Sequence, residues 1–460
     1  MKKKKILLLC DDLRMHSGIA TMAREFVVGT AHKYDWVQLG AAINHPEKGK
    51  VFDLSQEVNR LRGINDSYVR VIPWNGYGDP EILRELINSE QPDAIMHFTD
   101  PRFWEWLYRM EHEVRQVMPI FYYNIWDDLP TPMYNQPYYE SCDLLMCISK
   151  QTYGIVNEAL EDKNYKDWQI TYIPHGINHN TFFPIDEKHP SYQNYLNFRK
   201  DALKGKEYDF IAFYNSRNIR RKHTSDLMIG FEEFVNTLTP EQREKCLLLM
   251  HTDPVDQNGT DLPAVIEACC KNSNIDFTHI RQATPEQMNF YYNIADVTVN
   301  IASNEGFGLG TAESVMAGTP IVVNVTGGLQ DQCGFRTDSG ELLTERHYKG
   351  TWKSNHTGKY TVHGRWATPV FPKALTLQGS IPTPYIFDDI VDYRDLVEPL
   401  KYWYNMSREN RKEYGLAGRN HFMLPEVGLS AENMCNRFIN DMDTAFKNWQ
   451  PRKRFELILA

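Results

Sequence analysis

NEGFGLGTAESVMAGTP, residues 304–320, decides how this chain is read. The segment before it, DVTVNIAS (296–303), alternates like a strand, and AESVMAG (312–318) has helical spacing. Gly306, Gly308 and Gly310 therefore fall at a strand-to-helix turn. There the backbone can approach a ligand closely, and free amides at the helix start favour phosphate. Glu305 precedes the turn and Glu313 lies in the first helical turn, so both can face one bound molecule. The combination fits a phosphorylated sugar. An ordinary βα loop with a carboxylate at the helix start would give the same pattern. The dinucleotide fingerprint is excluded, because no glycine falls three residues after Gly308.

Outward from this loop, strand-like and helix-like segments alternate along the chain. That alternation predicts an α/β fold of two doubly wound, Rossmann-like domains facing a cleft. The first-half strands are KILLLC, DAIMHF, IFYYNIW and LLMCIS; the second-half strands are YDFIAFYN, CLLLMH, IDFTHI, DVTVNIA and PIVVNV. Helices are expected over 19–28, 80–89, 102–117 and 151–160. A final amphipathic helix over 430–449 carries Met434, Phe438, Met442 and Phe446. A chain of 460 residues is too long for one core. The expected division is a first domain over 1–190 and a second over 191–430. A helix within 431–460 would return to the first domain.

A formal charge of −10 opposes whole-surface attraction to nucleic acid or anionic membrane, though not a local basic patch. The opening MKKKKILLLCDD has an apolar run of five that ends at Asp11 and Asp12. That is too short for a secretion signal and reads as a buried strand. No segment approaches the roughly 20 apolar residues of a membrane span. The eight cysteines are scattered without a C-x-x-C pair, as in a reducing cytoplasm.

The strand IAFYN runs into SRNIRRK, residues 216–222. Arg217 and Lys222 lie five positions apart across a βα loop, where both can point into the cleft. Cations there would meet a diphosphate, whose negative charge grows as its bond to a sugar breaks. A solvated basic loop is the other reading. Arg220 and Arg221 read as surface charges, either able to replace Arg217.

Together these residues resemble the family-4 retaining glycosyltransferases, which have the GT-B fold; the resemblance implies that 1–190 is the acceptor domain and 191–430 the donor domain, here with an insertion at about 341–384. The resemblance runs through Ser17-Gly18, IPHGINHNTFFP (173–184), Arg217 with Lys222, TPEQMNFYYNIADVTVNIASNEGFGLGTAESVMAGTPIVV and Gly327-Gly328. It implies that Glu305 binds hydroxyls of the transferred sugar and that Glu313 accepts from the nucleotide ribose. Arg217 and Lys222 would hold the diphosphate with the backbone of Gly306, Phe307, Gly308 and Leu309. Gly18 would let the first-domain loop approach, and Arg281 and Gln282 would rest against the base. The family retains the anomeric configuration by front-face substitution, in which the leaving phosphate oxygen helps take the acceptor proton. It implies a UDP-sugar as co-substrate, with no metal and no further cofactor. The pairs Asp11-Asp12, Asp127-Asp128 and Asp388-Asp389 accordingly read as caps and turns first.

Two departures from that family stand out. Where many relatives place a histidine that reaches the C6 hydroxyl of a hexose, this chain has Trp126, followed by Asp127. An indole is bulkier and accepts no hydrogen bond, so a pentose donor such as arabinose follows. A one-residue shift with the tryptophan in the core would also account for it. Asp127 is the carboxylate best placed to orient an acceptor hydroxyl, with His97 and Asp100 as further acceptor contacts at the end of DAIMHF. Phe103, Trp104, Trp106, Leu107 and Met110 read as core packing.

The second departure is the insertion. Residues 346–387 contain no Asp or Glu, while Lys349, Lys353 and Arg365 interleave with Trp352 and Trp366. Cations for phosphates and flat rings for bases are what a nucleic-acid groove needs. A lid packed on the donor domain, with its aromatics buried, is the alternative. The chain also looks like phage-encoded glycosyltransferases that modify hydroxymethylcytosine in DNA, which implies double-stranded DNA as a partner and the host cytoplasm as the location. A base attacked by such an enzyme must leave the helix, with Trp352 and Trp366 as wedge or stacking ring. A transferase acting on a polysaccharide or lipid-linked glycan, and a non-catalytic sugar-nucleotide-binding protein, are the rival readings.

Overall fold

The computed structural model describes residues 2–452; Met1 and residues 453–460 of the expected final segment lie outside the described residues. The first sheet contains β1 (Lys4–Asp11), β2 (Tyr34–Ile43), β3 (Phe52–Asp53), β4 (Val69–Asn75), β5 (Ala94–Phe98), β6 (Ile120–Asn124), β7 (Leu144–Cys147) and β8 (Ile170–Tyr172). Its order is β3-β4-β2-β1-β5-β6-β7-β8, parallel throughout except for β3 against β4. The run Ile6 to Cys10 is buried on both faces, which is why it lacks polar alternation.

The second sheet contains β9 (Phe210–Asn215), β10 (Cys246–His251), β11 (Ile275–Phe277), β12 (Val297–Asn300), β13 (Ile321–Asn324) and β14 (Ala367–Val370). All its pairings are parallel, in the order β11-β10-β9-β12-β13-β14. β14 lies inside the segment expected to be an insertion; as an edge strand it tolerates Pro369, which cannot donate to a central ladder. Beyond it a two-stranded antiparallel hairpin, β15 (Ala374–Ser380) and β16 (Thr383–Ile390), stands apart from both sheets.

Strand order reverses at β1, between β2 and β5, and at β9, between β10 and β12. Crevices at such reversals, beyond the carboxyl ends of strands, are where doubly wound sheets hold ligands. The continuous helix expected over 102–117 is instead a 3-10 turn, Pro101–Trp104, followed by short helices Glu105–Arg109 and Glu111–Val114. The backbone leaves helical geometry at Met110 (φ −107°, ψ 13°), which breaks the run.

The chain passes between the domains twice, side by side. The amide of Ile177 donates to Leu429 O (2.9 Å), and the amide of Ala431 donates to Ile177 O (3.0 Å). Gly176 permits this, since a Cβ there would lie 2.4 Å from Ser430 O. Helix Ala431–Asn448 then packs on helix Gly18–Thr30. Phe438 meets Phe26 at 4.9 Å between ring centroids and stacks on Trp36 at 6.1 Å, while Tyr34 OH donates to Asp443 Oδ1 (2.9 Å). Among the described residues no helix is long and apolar enough to cross a membrane.

Candidate active site

A cleft of about 1510 Å³ lies between the two domains, at the carboxyl ends of β1, β6, β9 and β12. The stretch 304–310 forms one wall. Gly308 takes φ +86°, in the left-handed region, and the helix Leu309–Met316 starts directly after it with its first turn on the cleft. The Gly-Gly pair behind it fixes this wall: the amide of Gly328 donates to Glu305 O (2.8 Å), and a Cβ on Gly328 would lie 2.2 Å from Gly306 O. Gln332 Nε2 donates to both Phe307 O (2.6 Å) and Gly308 O (2.9 Å).

Lys222 ends a 3-10 turn, Arg220–Lys222, and its ammonium forms an ion pair with Glu305. Asn300 Nδ2 donates to the same carboxylate (3.2 Å), and Arg221 Nη1 lies 3.5 Å from its other oxygen while donating to Asn304 O (2.7 Å). Burial alone would raise the Glu305 pKa, but Lys222 and Arg221 outweigh it and hold the group well below the usual carboxylate range. Burial lowers Lys222, partly offset by Glu305. Both partners are therefore charged at neutral pH.

Arg217 does not join this cluster. Its guanidinium pairs with Asp256 (Nε to Oδ2, 2.8 Å) at the cleft rim, and the side chain is 62% exposed. The tight turn after Ile219 swings residues 221 and 222 inward, so the place beside Glu305 belongs to Arg221, which the sequence reads as a surface charge able to replace Arg217.

Glu313 lines the cleft and accepts from Tyr292 OH (2.7 Å); burial pushes its carboxyl up to about 7. Arg281 and Gln282 are exposed and off the cleft wall, which is formed there by Ala283, Pro285 and Met288. Gly18 begins its helix behind Ser17, whose hydroxyl caps Ala20 N (3.1 Å). A Cβ at Gly18 would lie 3.1 Å from Leu309 Cδ1, so the two loops meet across the cleft.

On the first-domain side, Trp126 and Asp127 line the cleft. The Trp126 indole donates to Asp128 O (2.7 Å) and its ring packs edge-on to Tyr134, so it is a wall residue and not part of the core. Burial raises the Asp127 carboxyl, against the pull of Arg221, and raises Asp128 further beside it.

His97 is no acceptor contact. It is fully buried in the central strand β5, its Nδ1 2.6 Å from Tyr108 OH and its ring stacked on Tyr122. Both faces of that strand are covered, and position 97 points to a covered face. Asp100 stays off the cleft wall; it grips Arg102 (Nε to Oδ1, 2.8 Å), and Arg102, which sequence reasoning passed over, lines the cleft.

None of Lys349, Trp352, Lys353, Arg365 and Trp366 lines the cleft. Trp366 is 6% exposed, donates to Gln332 O (2.9 Å) and packs on His421; Trp352 packs on Tyr348. Arg365 pairs with Glu413 (2.8 Å). Trp366 is taken up by the core and Trp352 is half-buried against Tyr348, so neither stands at the cleft as a wedge or a stacking platform; Lys349 and Lys353 are simply exposed.

The hairpin reaches the cleft in their place, through Gln378, Ser380, Thr383, Ile386 and Asp388. The alternation Leu375, Thr376, Leu377, Gln378 was the overlooked signal. Its root is tied to the Glu305 loop: Asp388 Oδ1 accepts from Asn304 Nδ2 (2.8 Å) and Ser303 Oγ (3.1 Å), and Asp389 accepts from Ser354 Oγ (2.6 Å). Asp12 is likewise occupied by Arg14 (2.7 Å). Among the described residues no three His, Cys, Asp or Glu side chains are grouped to hold a metal ion.

No protein-family model matches the chain. Among curated proteins, it is similar to the alpha-monoglucosyldiacylglycerol synthase of Acholeplasma laidlawii, with 26% identity over 212 residues. The match covers 46% of this chain and 48% of that protein, so it spans about half the length of this relative. Among solved structures, HepE of Anabaena in complex with UDP and glucose superposes with a TM-score of 0.62 at 12% identity, over 96% of this chain and all of that one. Sucrose-phosphate synthase from Thermosynechococcus elongatus gives 0.62 at 15% identity, over 97% of this chain and all of that one. By architecture, therefore, this chain has the GT-B fold of glycosyltransferase structures: two Rossmann-like α/β domains with parallel sheets, facing each other across a cleft.

Proposed function

We propose that the protein is a retaining glycosyltransferase that moves a sugar from a UDP-sugar to an acceptor hydroxyl. The observation that carries this reading is the Lys222–Glu305–Arg221 cluster, which faces the start of helix Leu309–Met316 inside the interdomain cleft. Two cations and a helix start suit a diphosphate. Glu305 suits sugar hydroxyls, and Glu313 suits the ribose. In the reaction the bond from the anomeric carbon to the phosphate oxygen breaks and a bond from that carbon to the acceptor oxygen forms on the same face. The acceptor proton passes to the departing phosphate oxygen, whose growing charge Lys222 and Arg221 stabilise. UDP as the nucleotide is supported by the complexes of HepE. The test is UDP release from a panel of UDP-sugars: no release and no transfer by wild type would leave a sugar-nucleotide-binding protein.

The proposed donor sugar is a pentose. Support comes from Trp126 on the cleft wall, whose bulk would compete with a hydroxymethyl group there. Turnover of UDP-arabinose or UDP-xylose above UDP-glucose is expected, and Trp126→Ala raises relative use of the hexose about tenfold. A wild-type preference for glucose overturns the assignment.

The proposed acceptor is a hydroxymethylated cytosine in DNA, with the cytoplasm of the host as its setting. Support comes from exposed Lys349, Lys353 and Lys359 in a stretch without carboxylates. A lipid-linked or glycan acceptor is the second reading, favoured by the named activity of the similar Acholeplasma synthase. Incubation with hydroxymethylcytosine DNA, digestion to nucleosides and mass measurement decides between them.

A further inference from the structure

We propose that Ile381, at the tip of the β15–β16 hairpin, is a wedge that enters the DNA duplex and turns the acceptor base out into the cleft; the inference rests on the DNA reading of the acceptor. Ile381 is 99% exposed, whereas every other large apolar side chain among the described residues is 65% exposed or less. It stands at the turn of a two-faced ribbon. In the register Gln378 opposite Ile386 and Ser380 opposite Thr383, the inner face lines the cleft. Leu375 and Leu377, on the alternate positions, are exposed on the outside.

Hydrogen bonds tie the ribbon down at the cleft mouth. Arg102, itself gripped by Asp100, donates to Pro382 O (3.3 Å) and hydrogen-bonds to Thr383. Tyr134 OH donates to Tyr385 O (2.8 Å), and the amide of Phe387 donates to Leu129 O (2.6 Å). The ribbon thus springs from the second domain and is fastened to the first, with its most exposed apolar residue beside the entrance. A ribbon already tied down loses little conformational freedom when it meets a partner.

The root of the ribbon, at the end away from Ile381, suits a polyanion. Residues 346–387 contain no carboxylate. Exposed Lys353 sits next to Ser354, whose hydroxyl bonds Asp389, the cross-strand partner of Leu375. Exposed Lys349 precedes Gly350, whose carbonyl accepts from Thr131 Oγ1 (2.8 Å) near the same ribbon. A hydroxymethyl group on a stacked base cannot reach Glu305 inside a cleft, so the base must leave the helix. Isoleucine and proline side chains driven between base steps are a known physical means of unstacking them, and Ile381-Pro382 supplies both.

The test compares transfer to hydroxymethylcytosine in a paired duplex, opposite a mismatch and in a single strand, for wild type, Ile381→Ala and Ile381→Leu. Extrusion energy matters only where the base is stacked and paired. Ile381→Ala should therefore lose about tenfold or more in kcat/KM on the duplex. It should lose less on the mismatch and stay within about twofold on the single strand. Ile381→Leu should recover most of the loss, with UDP-sugar hydrolysis equal in all three. Equal losses on duplex and single strand, or none on the duplex, overturn the wedge. Wild type that hydrolyses UDP-sugar yet modifies no form of the DNA overturns the acceptor reading itself. Loss of binding to phosphatidylglycerol vesicles with duplex transfer intact would assign the tip to a lipid surface instead, and overturn the proposal.

Discussion

Lys222 and Glu305 belong to different βα loops, 83 positions apart, and meet as an ion pair on the cleft wall with side chains only 8% and 10% exposed. A buried pair of this kind is costly to break, because removing one partner strands the other's charge. Lys222→Met should destabilise the protein by about 3 kcal/mol, read by denaturant unfolding. Glu305→Gln keeps the hydrogen-bonding shape but removes the charge beside the proposed sugar, and transfer should fall about 100-fold while circular dichroism stays unchanged.

Arg221 and Arg217 give opposite expectations. Arg221→Ala removes a cation 3.5 Å from Glu305 and should lower turnover about 30-fold. Arg217→Ala removes an exposed guanidinium that pairs only with Asp256 at the rim, and should change turnover by less than about threefold. Steady-state kinetics on the two variants separates them; the reverse order would return Arg217 to the diphosphate.

The Glu313 carboxyl, raised to about 7 by burial, should make UDP binding pH-dependent if it meets the ribose. Because its folded pKa lies above the ordinary value, the folded state holds an extra proton between about 4.5 and 7, and stability falls as pH rises through that window. Ribose hydroxyls donate to the ionised form, so UDP affinity should rise from pH 6 to pH 8. UDP titrates in the same range, so the readout is wild type minus Glu313→Gln by calorimetry; identical slopes would remove Glu313 from the ribose.

Gly328→Ala tests the support behind the glutamate loop. The new methyl would meet Gly306 O at 2.2 Å, a backbone atom that cannot rotate away. A loss of about 2–3 kcal/mol in stability is expected from thermal or denaturant unfolding, together with weaker UDP binding as residues 305–307 shift.

The fold was legible where burial leaves a compositional mark. KILLLC and CLLLMH carry no polar alternation because both their faces are covered, and the glycine spacing at 306–310 announces a strand-to-helix turn. What depends on side-chain direction was not legible. In a strand buried on both sides nothing marks which face His97 takes, and in SRNIRRK only the 3-10 turn decides that residues 221 and 222 look inward. Residues 346–387 were legible only in part for a different reason: their missing carboxylates drew attention to charge alone. The alternation that makes β15 a ribbon, and the demand of the second core for Trp366, went unnoticed beside it.

The return of helix Ala431–Asn448 to the first domain bears on how the polypeptide is made. Phe438, the ring that seals Phe26, Tyr34 and Trp36, leaves the ribosome some four hundred residues after the strands it covers. The amino-terminal sheet must therefore wait, one aromatic flank uncovered, until residue 438 has been synthesised, and cutting the polypeptide at its crossover would yield a fragment that never completes its own interior.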